Sequence, residues 1–231
     1  MGYNLDMTRT FRFEIDEFYH AYNRGVDKRV IFDGEMDKKR FLKLLYLCNG
    51  SNPVNLRELP KGETFGIDMG EKLVNVCAYC LMDNHFHLLL QECSENGISR
   101  FMQKLVTAYV MYFNEKNSRT GTLFGGAFKA RHVDNDQYLR YLLAYLHLNP
   151  VDMIESSWKE NGIKDLARVK NYLEQYAFSS FGEFNGRARP ESAIVDKLAL
   201  PDYFATPREF DEYLKDWLTM PKDFSHKFNY D

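Results

Sequence analysis

Aromatic and polar residues alternate through residues 17–25 (EFYHAYNRG), and the run closes on Asn23-Arg24-Gly25. A period of two that ends this way predicts a strand running into a turn. The next apolar positions keep a different rhythm: Phe41, Leu44, Leu45 and Cys48 in DKKRFLKLLYLCNG fall on one helical stripe, and Asn49-Gly50 stops it. Residues 51–72, broken by Pro and Gly, read as a loop excursion. LVNVCAYCLMDNHFHLLLQEC then carries two β-rich runs divided by Met82-Asp83-Asn84, a hairpin pattern. After Gly97, residues Ile98, Phe101, Met102, Leu105, Ala108, Tyr109 and Tyr112 trace a second helical stripe. A glycine-containing loop (SRTGTLFGG), a short strand (FKARHV) and a third helix (DNDQYLRYLLAYLHLNPV) follow, with Asp134 or Asn135 as cap and Pro150 as stop. The order β-α-β-β-α-β-α is the split βαβ arrangement: an α+β, ferredoxin-like antiparallel sheet with helices on one face. From Asp152 the chain turns more polar, with helical pieces expected near 163–176 and 207–218. The expected division is a domain over 17–151 and a partly helical, irregular C-terminal appendage over 152–231.

The 231 residues, 45% of them hydrophobic, suffice for one sizeable packed core with appendages or for two small ones. No run of about 18 uncharged apolar residues occurs, and residues 1–16 mix Arg, Asp and Glu where a signal peptide would be apolar. The expected location is therefore cytoplasmic, with no membrane partner. Four cysteines, Cys48, Cys77, Cys80 and Cys93, are too irregular for a disulfide framework. Cys77 and Cys80 form a CxxC, but one inside the apolar run VNVCAYCLM, which favours buried free thiols over a zinc site. The formal net charge of −3 is awkward for a phosphate-binding protein. The charge is uneven, however: across 99–147 Arg100, Lys104, Lys116, Arg119, Lys129, Arg131 and Arg140 outnumber Glu115, Asp134 and Asp136.

The chemistry candidates sit in the hairpin and the third helix. In His85-Phe86-His87 a strand sends both imidazoles to one face and Phe86 to the other, so two nitrogen donors converge and leave coordination positions open. An HxH alone also fits plain polar residues on an exposed sheet face. Tyr138, Tyr141 and Tyr145 share one face of the third helix, and Asn149 lies one turn past Tyr145. A tyrosine hydroxyl can attack a phosphodiester if a metal polarises the phosphoryl oxygens, and the Asn149 amide oxygen could complete the metal's shell. Taken alone, Tyr145 also reads as one more aromatic in a core stripe.

The motifs YHAYNRG, LMDNHFHLLL, TAYVMYFN, LFGGAFKA and YLLAYLHLNPV, in that order, resemble the single-tyrosine HUH transposases, specifically the REP-associated branch of the insertion-sequence-200-like superfamily. The likeness spans 19–151, and YAFSSFGEF further on is similar to a segment of the same branch. It implies an HUH nuclease fold that nicks single-stranded DNA, becomes linked to the 5′ phosphate through tyrosine and leaves a 3′ hydroxyl. His85, His87 and Asn149 match the family's metal ligands, Tyr145 its nucleophile, and Mg²⁺ or Mn²⁺ is the ion implied. Relatives read approximately LFQGRFKA where this chain has LFGGAFKA, so a glutamine and an arginine are replaced by Gly125 and Ala127.

The implied partner is single-stranded DNA, hairpin or palindromic, bound by a monomer more in the manner of the REP-associated branch than by a helix-exchanged dimer. Arg24, Arg100, Lys104, Arg119, Lys129 and Arg131 are candidate phosphate contacts, with His132 beside them. Tyr22 and Phe124 are candidate stacking platforms for bases. His20 and His147 read as structural or supporting residues. The competing reading is a catalytically idle single-stranded nucleic-acid-binding regulator on the same sheet.

Overall fold

The computed structural model describes residues 12–53, 55 and 63–219. Part of the expected excursion at 51–72, and the end of the appendage beyond 219, lie outside the described residues. Strand β1 (Phe18–Arg24), helix α1 (Glu35–Leu47), strands β2 (Val74–Leu81) and β3 (His85–Glu92), helix α2 (Gly97–Lys116), strand β4 (Lys129–His132) and helix α3 (Asp136–Leu148) follow in the expected order. The strands form an antiparallel sheet in the order β2-β3-β1-β4. Inserting β3 between β1 and β2, and β1 between β3 and β4, gives the split βαβ topology.

Alternation along the strands sorts the residues onto two faces. Tyr19, Ala21, Phe86, Leu88 and Leu90 point to one side and pack with α1 and α2 through Phe41, Leu45, Phe101, Leu105 and Tyr109. Phe86 is fully buried there, in contact with Phe41 and Phe124. The expectation of helices on one face holds for α1 and α2. The opposite face carries a second helical layer: Cys77, Ala78 and Leu89 pack against α3 and against three later helices, α5 (Leu166–Gln175), α6 (Phe181–Phe184) and α7 (Pro207–Thr219). The polar appendage thus supplies Val169, Leu173, Phe181, Phe184, Phe210 and Leu214 to a core that the third helix could not close by itself. No helix among the described residues is long and apolar enough to cross a membrane.

Asn135 caps α3, its side chain accepting the Tyr138 N–H at 2.7 Å. Pro150 does not end the helix abruptly; the chain tightens into a 3₁₀ turn at Asn149–Met153, where a proline near the start costs no hydrogen bond. Helix α4 (Trp158–Asn161) then follows.

Candidate active site

The pairing of β1 with β3 sets Tyr22 opposite His87 and Arg24 opposite His85. Both histidines therefore lie on the α3 side of the sheet, as their spacing implied, and His20, two residues before Tyr22, joins them. The turn that delivers His85 is bound on two sides: the Asp83 carbonyl accepts the Ile31 and Phe32 N–H groups at 2.8 and 3.0 Å, and the Asn84 carbonyl accepts that of Gly25 at 2.9 Å. His85 Nδ1 lies 2.6 Å from Asn84 Oδ1, an acceptor, so this nitrogen carries the hydrogen and Nε2 keeps its lone pair.

His87 is 1% exposed, with Nδ1 2.8 Å from His20 Nε2. Its Nε2 is buried and has no hydrogen-bond partner among the described residues. Burial, reinforced by His20, His85, Arg24 and Lys159, holds the His87 imidazole well below the ordinary histidine range, so it is neutral at pH 7. A buried, neutral, unpartnered ring nitrogen is a costly feature in a plain core and a suitable one for a metal ligand.

Helix α3 lies across this face against β2 and β3. Its stripe of aromatics stacks in sequence, Tyr138 on Tyr141 and Tyr141 on Tyr145, with ring centroids 6.4 and 5.9 Å apart. Tyr145, partly exposed, stands edge-on to His87 at 5.3 Å and to His20 at 6.2 Å. One turn further, Asn149 donates its backbone N–H to the Tyr145 carbonyl, and its buried side-chain amide leaves Nδ2 without a partner. The two ends of an amide exchange by a half-rotation, so this position suits an oxygen donor equally. Among the described residues no group of three or more His, Cys, Asp or Glu side chains is arranged to hold a metal ion. His85 and His87 offer two imidazoles on this face and Asn149 a buried amide one turn past Tyr145, donor types that fit a divalent cation with sites left open for phosphate oxygens.

The candidate phosphate contacts divide. Lys129 and Arg131 pair opposite Tyr22 and His20 on β4, both exposed, with Lys129 Nζ 5.8 Å from the Tyr22 ring and the Arg131 guanidinium 5.0 Å from that of Tyr138. With Arg24 they form a basic margin along the histidine face. Arg100 and Lys104 belong to α2, on the far side of the sheet, and Lys104 Nζ donates to the Gly50 carbonyl at 2.7 Å. Arg119 holds its own loop through Asn114 Oδ1 and the Thr122 carbonyl. These three are not brought to the histidines.

Phe124 is no stacking platform: it is buried against Phe86, because the LFGG loop bridges to the end of β1. Tyr22 lies within β1, stacked on His20 at 4.9 Å. His147 is a core residue, with Nδ1 against the Leu143 carbonyl and Nε2 against Ser180 Oγ. Lys159, which no sequence motif marked, places Nζ 5.6 Å from the Tyr145 ring centroid.

Residues 67–149 match the family described as transposase, IS200-like. The stretch runs from before β2 to the end of α3 and includes His85, His87, Tyr145 and Asn149. No curated protein matches. Among solved structures the chain is similar to a REP-associated tyrosine transposase bound to a REP hairpin, at 14% identity, over 85% of this chain and 98% of that one, with a TM-score of 0.46.

Proposed function

We propose that this chain, whose residues 67–149 match the IS200-like transposase family, cuts and rejoins single-stranded DNA through a covalent phosphotyrosine at Tyr145. The observation that carries the reading is the edge-on approach of Tyr145 to His87, whose buried Nε2 has no partner. A pure binding surface has no need of that juxtaposition.

In this reading the phenol oxygen of Tyr145 forms a bond to phosphorus, the bond from phosphorus to the 3′ oxygen breaks, and the phenol proton leaves to solvent while the departing 3′ oxygen takes one up. The 5′ phosphate stays on Tyr145 until a 3′ hydroxyl attacks it in turn and rejoins the strand. His85, His87 and Asn149 would hold Mg²⁺ or Mn²⁺, which would supply positive charge to polarise the phosphoryl oxygens. His20 orients His87 and Asn84 orients His85, each by accepting the hydrogen bond donated by the ligand's Nδ1–H. Arg24, Lys129 and Arg131 line the path of the backbone. His87 and Tyr145 meet within one chain, so we read the working unit as a monomer, with residues 17–151 as the nuclease and the extension closing its second core. Hairpin-bearing single strands are the substrate, on the strength of the motifs' likeness to the REP-associated branch.

Incubation of the protein with 5′- and 3′-labelled hairpin DNA, in Mg²⁺, Mn²⁺ or EDTA, tests this on denaturing gels. A covalent adduct that needs metal and is lost in Tyr145→Phe is expected. Binding without cleavage across several hairpins would leave the idle regulator as the better description.

A further inference from the structure

Past the tyrosine helix the chain folds back on it. Asp152, in the 3₁₀ turn that follows Asn149, divides its carboxylate: Oδ1 accepts the Trp158 indole N–H at 2.7 Å and Oδ2 accepts Lys159 Nζ at 2.8 Å. The result is a tethered ammonium 5.6 Å from the ring centroid of Tyr145 and 5.9 Å from that of Trp158. A lysine ammonium has three donors, of which Asp152 occupies one. The side chain is 38% exposed, so the remaining donors are open to a ligand. Resting on the reading of Tyr145 as nucleophile, we propose that Lys159 is a phosphate-binding residue of the site, donating to the non-bridging oxygens of the single-strand segment that Tyr145 attacks.

Two features argue against an idle surface pair. The carboxylate that holds Lys159 is itself fixed by the indole, so the ammonium is restrained in position where an exposed lysine would sweep through solvent, and ordering a charged group in advance strengthens its contact with phosphate. The residue also comes from outside the stretch 67–149 that matches the transposase family. The appendage thereby contributes a charge to a site whose other parts lie on β1, β3, β4 and α3.

The test compares wild type, Lys159→Met and Lys159→Arg. In EDTA, hairpin DNA binding is titrated across salt concentrations: each phosphate neutralised on a single strand contributes about 0.7 to the slope of log affinity against log salt. Lys159→Met is expected to lose about one such increment and Lys159→Arg to keep it. With Mg²⁺, adduct formation in Lys159→Met is expected to slow by about tenfold or more, as for loss of one charge-stabilising donor, with recovery in Lys159→Arg. An unchanged slope in Lys159→Met overturns the inference, and so does a rate loss shared equally by both variants, which would make Lys159 a packing residue. A wild-type protein that binds hairpin but forms no adduct would sink the reading of Tyr145, and the slope would still judge Lys159.

Discussion

His20 Nε2 and His87 Nδ1 lie 2.8 Å apart in the buried centre of the sheet, on neighbouring strands. One ring must donate and the other accept. For His87 to offer Nε2 to a cation, its hydrogen must sit on Nδ1 and be given to His20 Nε2, so His20 acts as the acceptor that fixes the useful tautomer. Outer partners of this kind typically tune metal affinity by about 10- to 100-fold. Replacing His20 with Phe keeps a ring in the stack with Tyr22 and removes the acceptor. Mn²⁺ titration of the DNA-free protein, followed by electron paramagnetic resonance, is expected to show affinity weakened by about that factor. Equal affinity in the variant would mean that His20 only fills space.

The LFGGAFKA loop makes a second case. Gly125 and Ala127, where the resemblance implies Gln and Arg, are both exposed, and the Gly125 N–H donates to the Arg24 carbonyl at 3.0 Å. A Cβ at Gly125 would meet nothing nearer than 3.8 Å. The double variant Gly125→Gln, Ala127→Arg should therefore fold normally and add one cation to the exposed loop that is tied to the end of β1. Hairpin binding at low salt should tighten by several-fold, with a salt slope steeper by about 0.7. No change in slope would show that the loop does not face the backbone.

The strands and helices were legible because each carries its own period: alternation in EFYHAYNRG, the stripe from Ile98 to Tyr112, the capped helix beginning after Asn135. Local spacing also sufficed to send His85 and His87 to one face and Phe86 to the other. Pairing across strands was not legible, since nothing in YHAYNRG says that His20 will touch His87 or that Arg24 will lie opposite His85. The same limit hid Lys159, whose place depends on a 3₁₀ turn and a short helix after Pro150. It also misassigned Phe124, which a glycine-rich neighbourhood made look exposed but which a bridge to β1 draws into the core. The second helical layer was obscured by the polar composition of the extension, where a few apolar residues such as Phe181 and Phe210 do the packing.

Cys48, Cys77 and Cys80 are buried free thiols, and Cys93 is partly exposed. Burial pushes the Cys48 thiol up to about 12 and those of Cys77 and Cys80 above the ordinary thiol range. Since the thiolate is the reactive form, all three should resist alkylation at pH 8 while the protein is folded. Timed iodoacetamide labelling with peptide mass mapping is expected to find Cys93 modified first and the others only in urea. Rapid native labelling of Cys77 or Cys80 would contradict their place between the sheet and the second layer.

The hairpin also anchors the first helical layer, through Glu92. Helix α2 begins after Asn96, which has a left-handed backbone and offers no side-chain cap. The last residue of β3 takes over that role: the Glu92 carboxylate, wholly buried, accepts the Gly97 N–H at 2.9 Å and the Ile98 N–H at 2.7 Å. Negative charge at a helix start is favoured by the aligned peptide dipoles, and here it also satisfies two donors that no water reaches. Truncation by Glu92→Ala would leave both N–H groups unmet and open a small void, for a cost of about 2–4 kcal/mol. Glu92→Gln keeps one acceptor oxygen and should lose roughly half as much. Urea unfolding followed by circular dichroism measures both. If Glu92→Ala unfolds at the wild-type midpoint, the cap contributes nothing and α2 is held by its apolar stripe alone.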